Sequence, residues 1–320
     1  MTRGSLCPPA ARLALVGGLA AVVASPIGLA ASEPDVTILT GPSRSAVAEV
    51  FGPRLAEMLQ PAITVELQST SGSWESLEAV AANPSMVGFA QRDLYQRFVA
   101  ERGLENELES YGSIPVCLFA AARAGSPVTL GLGAGTPAGQ PQTIDTGPVG
   151  GDTALTYQVI EERVPALQDL AVEHRGWSRA LARLAEGDLD LFVFVEYPNA
   201  ESPLVGDVFD NPRLLLLENV ADVLGPLPLA DLAPYRATQA SIPRGGWFDE
   251  RYVGQTLCTS LGVVVHRDGD PQVVEAVVHA ATGGGLINAG EDSWWQSVTG
   301  RFAGWLDQGR RWTISFLNDL

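Results

Sequence analysis

The chain has 320 residues, 20 basic and 37 acidic, for a formal charge of −17. With 46% hydrophobic and 18% charged residues it reads as a globular chain long enough for two domains, not a disordered one. So acidic a chain is poorly suited to nucleic acid or anionic lipid, and its basic residues are all arginine, which excludes a P-loop lysine, a Schiff-base cofactor and a lysine general base.

At the N-terminus, Arg3 and Arg12 precede an apolar stretch, Leu13 to Val23, and small residues follow up to Ser32. The stretch is shorter than the roughly 20 apolar residues that span a bilayer. Residues 1–32 are therefore expected to form a secretory signal peptide, which would carry the mature chain out of the cytoplasm. Two strand–loop–helix units come next. Val36 to Leu39 runs into Thr40-Gly-Pro-Ser43-Arg44-Ser45 and a helix pattern to Leu59; Ile63 to Leu67 runs into Gln68-Ser-Thr70-Ser71-Gly72-Ser73 and a helix pattern to Ala82. A third strand, Met86 to Ala90, delivers Gln91-Arg92-Asp93. This alternation predicts a parallel α/β sheet, whose ligands bind at the carboxyl ends of the strands.

Val116 to Ala122 is an apolar strand, and Gly125 to Gln142 is loop-like in composition. The polar loop Thr143 to Thr153 then opens a helix from Ala154 to Val164. There Asp152 or Thr153 is expected to cap the helix, and Gly150-Gly151 permits close backbone approach to a ligand. Ser178 to Glu186 is a short helix with Leu181 and Leu184 on one face, stopped by Gly187. Leu189 to Val195 is a buried strand that delivers Glu196-Tyr197-Pro-Asn199. Asn211 to Leu217 reads as another strand, Leu224 to Pro234 as a loop beside a short helix, and Ser241 to Phe248 as an irregular aromatic loop. Thr256 to His266 returns as a strand, followed by a helix from Asp268 to Ala281 with Pro271 in its first turn. The aromatic stripe from Trp294 to Phe316 reads as packing.

Cys117 and Cys258 both sit in apolar runs. An oxidising compartment permits a bridge, but spacing alone establishes none, and two buried free thiols are expected. His174, His266 and His279 show no ligand spacing, so no zinc site is expected, and the Gly-x-Ser-x-Gly elbow of the hydrolases is absent.

The ordered motifs Ile-Leu-Thr-Gly-x-Ser, Ser-Thr-Ser-Gly-Ser-x-Glu-x-Leu, Val-Gly-Phe-Ala-Gln-x-Asp, Thr-Gly-Pro-x-Gly-x-x-Thr, Glu-Tyr-Pro-Asn and Ser-Ile-Pro-x-Gly resemble the TAXI family, solute receptors of tripartite ATP-independent (TRAP) transporters. The resemblance spans about Val36 to His279. It implies an α/β, two-lobe type II periplasmic binding protein fold with hinge-crossing strands, placed at the Val116 and Thr256 strands. The implied division is residues 33–118 and 257–320 for lobe 1 and 119–256 for lobe 2. It further implies capture of a small carboxylate or amino acid and delivery to a TRAP-type permease, with no catalytic residue, metal or cofactor. Carried over residue by residue, the ligand set is Ser43, Arg44, Ser45, Thr70, Ser71, Gly72, Ser73, Gln91, Asp93, Gly150, Gly151, Thr153 and Tyr197. The first loop departs from the family pattern in lacking a Gly-Gly and tyrosine pair, and Arg44 there would suit a carboxylate through a bidentate contact. Tyr197 or Trp74 would cover an apolar face. Competing readings are a receptor for an ABC transporter or sensor kinase, an enzyme on the same fold, and a relative that has lost ligand binding.

Overall fold

The computed structural model describes residues 34–128, 142–224, 233–245, 250–283 and 285–286. The expected signal peptide and the aromatic stripe from residue 294 lie outside them, as does most of the Gly/Pro-rich stretch after residue 128.

The chain begins as its alternation predicts. Strand β1 (Val36–Leu39) leads through a π-helical turn (Val47–Phe51) into helix α1 (Gly52–Leu59). Strand β2 (Val65–Gln68) leads to α2 (Ser73–Ala82), and β3 (Met86–Gln91) to α3 (Arg92–Arg102). These three strands are parallel, in the order β2-β1-β3. Helices cover both faces. Leu55 and Leu59 of α1 bury one face together with Ile38, and Leu77, Val80 and Phe98 of α2 and α3 bury the other with Leu39. Side chains alternate across a strand, so a run such as Val36-Thr-Ile-Leu feeds both cores.

The 16-residue strand β4 (Leu108–Arg123) then leaves this half of the sheet. A second parallel set follows. It comprises β5 (Thr143–Asp145), α4 (Asp152–Glu161), α5 (Pro165–Gln168), β6 (Ala171–Glu173), α6 (Trp177–Glu186), β7 (Leu191–Glu196), α7 (Pro203–Phe209) and β8 (Leu214–Leu216). Strand β5 pairs in parallel with both β6 and β7. Tyr157 and Ile160 pack on one face of this set, Leu181, Leu184 and Val205 on the other. Gly187 ends α6 in the left-handed conformation. After a 3-10 turn (Val220–Leu224), strand β9 (Arg236–Gly245) pairs with the 17-residue β10 (Glu250–His266), and α8 (Pro271–Thr282), capped by Asp270, returns to the first core.

Among the described residues the strands form one mixed sheet of ten, β2-β1-β3-β10-β4-β7-β5-β6, with β8 on β4 and β9 on β10. Strands β4 and β10 are antiparallel to each other and belong to both halves. Residues 108–116 of β4 pair with 259–266 of β10; beyond them β4 turns to β7 and β8, and β10 to β9. This is the two-lobe type II arrangement with two crossing strands.

Three expectations are corrected. Cys117 and Cys258 form a disulfide, because antiparallel pairing of Thr259 with Val116 sets them opposite each other, Cα to Cα 4.0 Å. The stretch from Ser241 to Gly245 is strand, not loop: Ala240 and Ile242 are buried against the second core, and Pro243 is accommodated at a register shift of β10. Neither Asp152 nor Thr153 caps α4; Gly151 holds the cap position, and both side chains bond elsewhere.

Candidate functional site

The carboxyl ends of β1, β2 and β3 face those of β5 and β7 across the junction of the lobes. The loops they carry enclose a cavity of about 50 Å³. From lobe 1 its walls take Gly41, Pro42, Ser45, Val47, Ser71, Ser73, Phe89 and Gln91; from lobe 2, Thr146, Pro148, Gly151, Asp152, Thr153, Trp177, Val195 and Glu196; and from the crossing strands, Val116 and Leu261. The volume is room for a few waters and well below that of a drug-sized ligand pocket.

The lobes are stitched together around this space. The Ser73 N–H donates to Asp152 Oδ1, and the Ser73 hydroxyl accepts from the Gln91 N–H at 3.0 Å. Thr156 donates to Asp93 Oδ2 at 2.8 Å and lies 3.1 Å from Gln91 Oε1; the Tyr235 hydroxyl also donates to Asp93 Oδ2. The Ala46 N–H reaches Glu196 Oε1 at 3.4 Å. Outside the cavity, Arg44 pairs with Asp207 at 2.8 Å.

Of the residues the sequence nominates, Ser45, Ser71, Ser73, Gln91, Gly151 and Thr153 come together around the cavity. Ser45 also organises its own loop, donating to the Pro42 carbonyl at 2.8 Å and accepting from the Ala48 N–H at 3.2 Å. Thr153 accepts from the Val195 N–H at 2.9 Å, which ties the start of α4 to β7. The others do not line the cavity. Ser43 is exposed, and Arg44 is turned outward to Asp207. Thr70 is buried behind the loop, within 2.8 Å of Ser76, and Gly150 shapes the next loop at φ +76°. Gly72 is pressed against Asp152, whose Oδ1 would lie 2.5 Å from an added Cβ. Asp93 is buried between Thr156 and Tyr235. Tyr197 packs edge-on against Phe51 at 5.1 Å and Trp74 against Phe98 at 5.1 Å, and neither lines the cavity. The aromatic ring in the cavity wall besides Phe89 is Trp177, seated over Gly147, where an added Cβ would meet the indole Nε1 at 2.7 Å.

The electrostatics come from residues not nominated, Asp152 and Glu196. Glu196 is 5% exposed and accepts from the Tyr197 N–H at 2.9 Å as well as from Ala46. Burial pushes its carboxyl up to about 7, and the charge of Asp152 adds to the effect. Desolvation raises Asp152 to about 6, against the opposing pull of its Ser73 bond. Asp93 is likewise raised by burial. Both residues were visible in sequence as the acid ending an apolar strand and the acid opening a helix, but the first was read as part of a motif and the second as a cap. Among the described residues no arginine lines the cavity, and no group of three or more His, Cys, Asp or Glu side chains could hold a metal ion.

No protein-family profile and no curated protein matches the sequence. Among solved structures, the chain is similar to the amino acid ABC transporter substrate-binding protein AbpA from Streptococcus pneumoniae bound to L-arginine, at TM-score 0.43 and 12% identity over 78% of this chain and 90% of that one. It is similar to the GluR0 ligand-binding core from Nostoc punctiforme in complex with L-glutamate, at 0.43 and 14% over 82% and 95%. It is also similar to the regulatory domain of HypT from Salmonella typhimurium, at 0.44 and 11% over 79% and 95%. Likeness at this level bears on neither ligand nor role.

Proposed function

We propose that the chain is an extracytoplasmic solute-binding receptor that closes two lobes on a small molecule and hands it to a membrane permease. The observation that carries this reading is the enclosed cavity, walled by strand-end loops of both lobes, where α/β sheets bind small ligands. The lobes would be residues 33–118 with 257–320, and 119–256, hinged where β4 and β10 part company. A ligand touching both lobes biases such a hinge toward closure. The Cys117–Cys258 disulfide supports an oxidising, periplasmic location, and the expected signal peptide agrees with it. The TRAP-type permease rests on the ordered motifs alone. An anionic solute finds little support, because Arg44, the cation expected to receive it, is paired outside the cavity.

A second reading, an enzyme, draws on the two raised carboxylates, since acid–base catalysis uses such groups in clefts. Native mass spectrometry of the mature protein from its own periplasm, followed by a thermal-shift screen with the solute found, separates the two. A solute recovered intact that raises the melting temperature supports the receptor; its turnover supports the enzyme. A protein that carries no solute and responds to none counts against both.

A further inference from the structure

Resting on the hinged, two-lobe part of the receptor reading, we propose that Asp93 stands as a neutral carboxylic acid in the closed protein and serves as a latch: protonated, it fastens lobe 1 to lobe 2, and its ionisation releases them. A chain of buried polar groups across the lobe boundary leads there. Asp93 lies in the first turn of α3, in lobe 1, and is 4% exposed. Both partners of its carboxyl come from lobe 2 and are themselves buried. Thr156, 63 residues on, lies 2.8 Å from Oδ2, and the Tyr235 hydroxyl, 142 residues on, meets the same oxygen. The other oxygen, Oδ1, is buried with no hydrogen-bond partner. An ionised carboxylate left so is costly; the bare carbonyl oxygen of a neutral acid costs far less. The hydrogens point the same way when they are counted. Thr156 has one hydroxyl hydrogen and two acceptors within reach, Asp93 Oδ2 and, at 3.1 Å, Gln91 Oε1. Given to an ionised Asp93, that hydrogen leaves Thr156 and Gln91 facing each other oxygen to oxygen. With a proton on Asp93 Oδ2 every link is filled: Tyr235 donates to Asp93, Asp93 to Thr156, and Thr156 to Gln91 Oε1. The Gln91 amide then serves Asp152, on which it acts as a donor, so the chain ends in the cavity wall. An apolar site can keep a carboxyl neutral so that it donates a hydrogen bond.

Burial raises the pKa of Asp93 and outweighs the opposing pull of Tyr235, Thr156 and the N–H groups of the helix start. Two charged groups act across the lobe boundary. Asp152 of α4 is an acid that Asp93 would repel, and Arg163, just past α4, acts on Tyr235 and bonds the Ala233 carbonyl. The remaining charges on the elements packed around Asp93 are engaged elsewhere: Glu75 and Glu78 of α2 with the Ser71 N–H and Arg102, Arg97 of α3 with Glu101, and His266 of β10 beside Glu107 at 3.9 Å. Opening would return Asp93 to water and to the ordinary carboxylate range. An acid whose pKa is raised only in the closed form favours closure while protonated, and that preference is lost as the pH rises through the raised value. The empty receptor is therefore shut on the acid side of this titration and free to load on the alkaline side.

The test uses mature protein refolded from denaturant to clear any carried solute. NMR of protein bearing carbon-labelled aspartate follows the side-chain carboxyls through pH, and small-angle scattering follows the radius of gyration of the same samples. The expected result is a raised carboxyl titration that is missing from Asp93→Asn. The parent should expand as that carboxyl loses its proton, and Asp93→Asn, which keeps a neutral donor beside Thr156, should stay compact throughout. An Asp93 that titrates in the ordinary range overturns the proposal, and so does a parent whose size ignores the titration. Asp93→Asn expanding with the parent also overturns it, and would give the motion to Asp152 or Glu196. Should Asp93→Asn fail to fold, Tyr235→Phe decides. It removes a donor to the ionised acid, so one raised titration should move further up; a titration that stays or moves down overturns the latch. None of these outcomes touches the receptor reading, which fails instead if the protein from its own periplasm carries no solute and responds to none.

Discussion

Glu196 concentrates the tension in this molecule. It stands at the end of an apolar strand, Leu191 to Val195, so its carboxylate is delivered into a region already stripped of water. Two backbone N–H groups compensate in part, and burial still raises its pKa from 4.5 to about 7. The folded chain therefore holds this proton more tightly than the unfolded chain. Its contribution to stability is complete below about pH 4.5 and is lost as the pH climbs through 7. The loss amounts to roughly 3 kcal/mol, at 1.36 kcal/mol per unit. Glu196→Gln should accordingly gain stability over the parent at pH 8 and lose that advantage at pH 5, as read by denaturant unfolding at the two values. Gly72 shows the same crowding from the other lobe. An added methyl would lie 2.5 Å from Asp152 Oδ1, in a backbone conformation that L side chains rarely adopt. Gly72→Ala should cost about 2 kcal/mol, and less in an Asp152→Ala background, since the two residues touch. Equal costs in both backgrounds would show that backbone strain, not the carboxylate, is responsible.

At the level of elements, the crossing strands matter most. β4 and β10 run side by side through lobe 1 and part at Cys117 and Cys258, where the disulfide joins them. Each was legible as an apolar run, but not its length: β10 starts at Glu250, before its core signal, because β9 pairs along residues 250–258. A bridge across a separation of 141 residues restricts the unfolded chain strongly. Replacing both cysteines by alanine should lower stability by on the order of 4 kcal/mol. A reducing agent should then destabilise the parent and leave the double variant unchanged; destabilisation of both would refute the bridge as the cause.

For the molecule as a whole, polar contacts between the two halves of the sheet add to a shared apolar core in which Tyr197 packs on Phe51. Arg44 and Asp207 form the outermost of these, half-exposed, and an exposed ion pair contributes little, at most about 1 kcal/mol. Arg44→Ala should leave global unfolding nearly unchanged while shifting the population of unliganded protein toward an open form, seen as a larger radius of gyration in small-angle scattering. Asp207→Ala should do the same and the double variant no more. A change confined to one of the two would place the partner of Arg44 elsewhere.

By itself the sequence determined the local grammar: strand, polar loop and helix in alternation, the stop at Gly187, and the apolar runs of the crossing strands. These follow from backbone preferences and side-chain periodicity over a few neighbouring residues. Only the tertiary structure decided which loop residues face the cavity and which hold the lobes together. Ser73 meets Asp152 across 79 residues, and Ala46 meets Glu196 across 150. No local pattern records such pairings, and the sign of the cavity's charge depends on them. Arg44, read locally as a cation for a ligand, is paired with Asp207, 163 residues away, while two acids read as a cap and as part of a motif become the charged wall of the cavity.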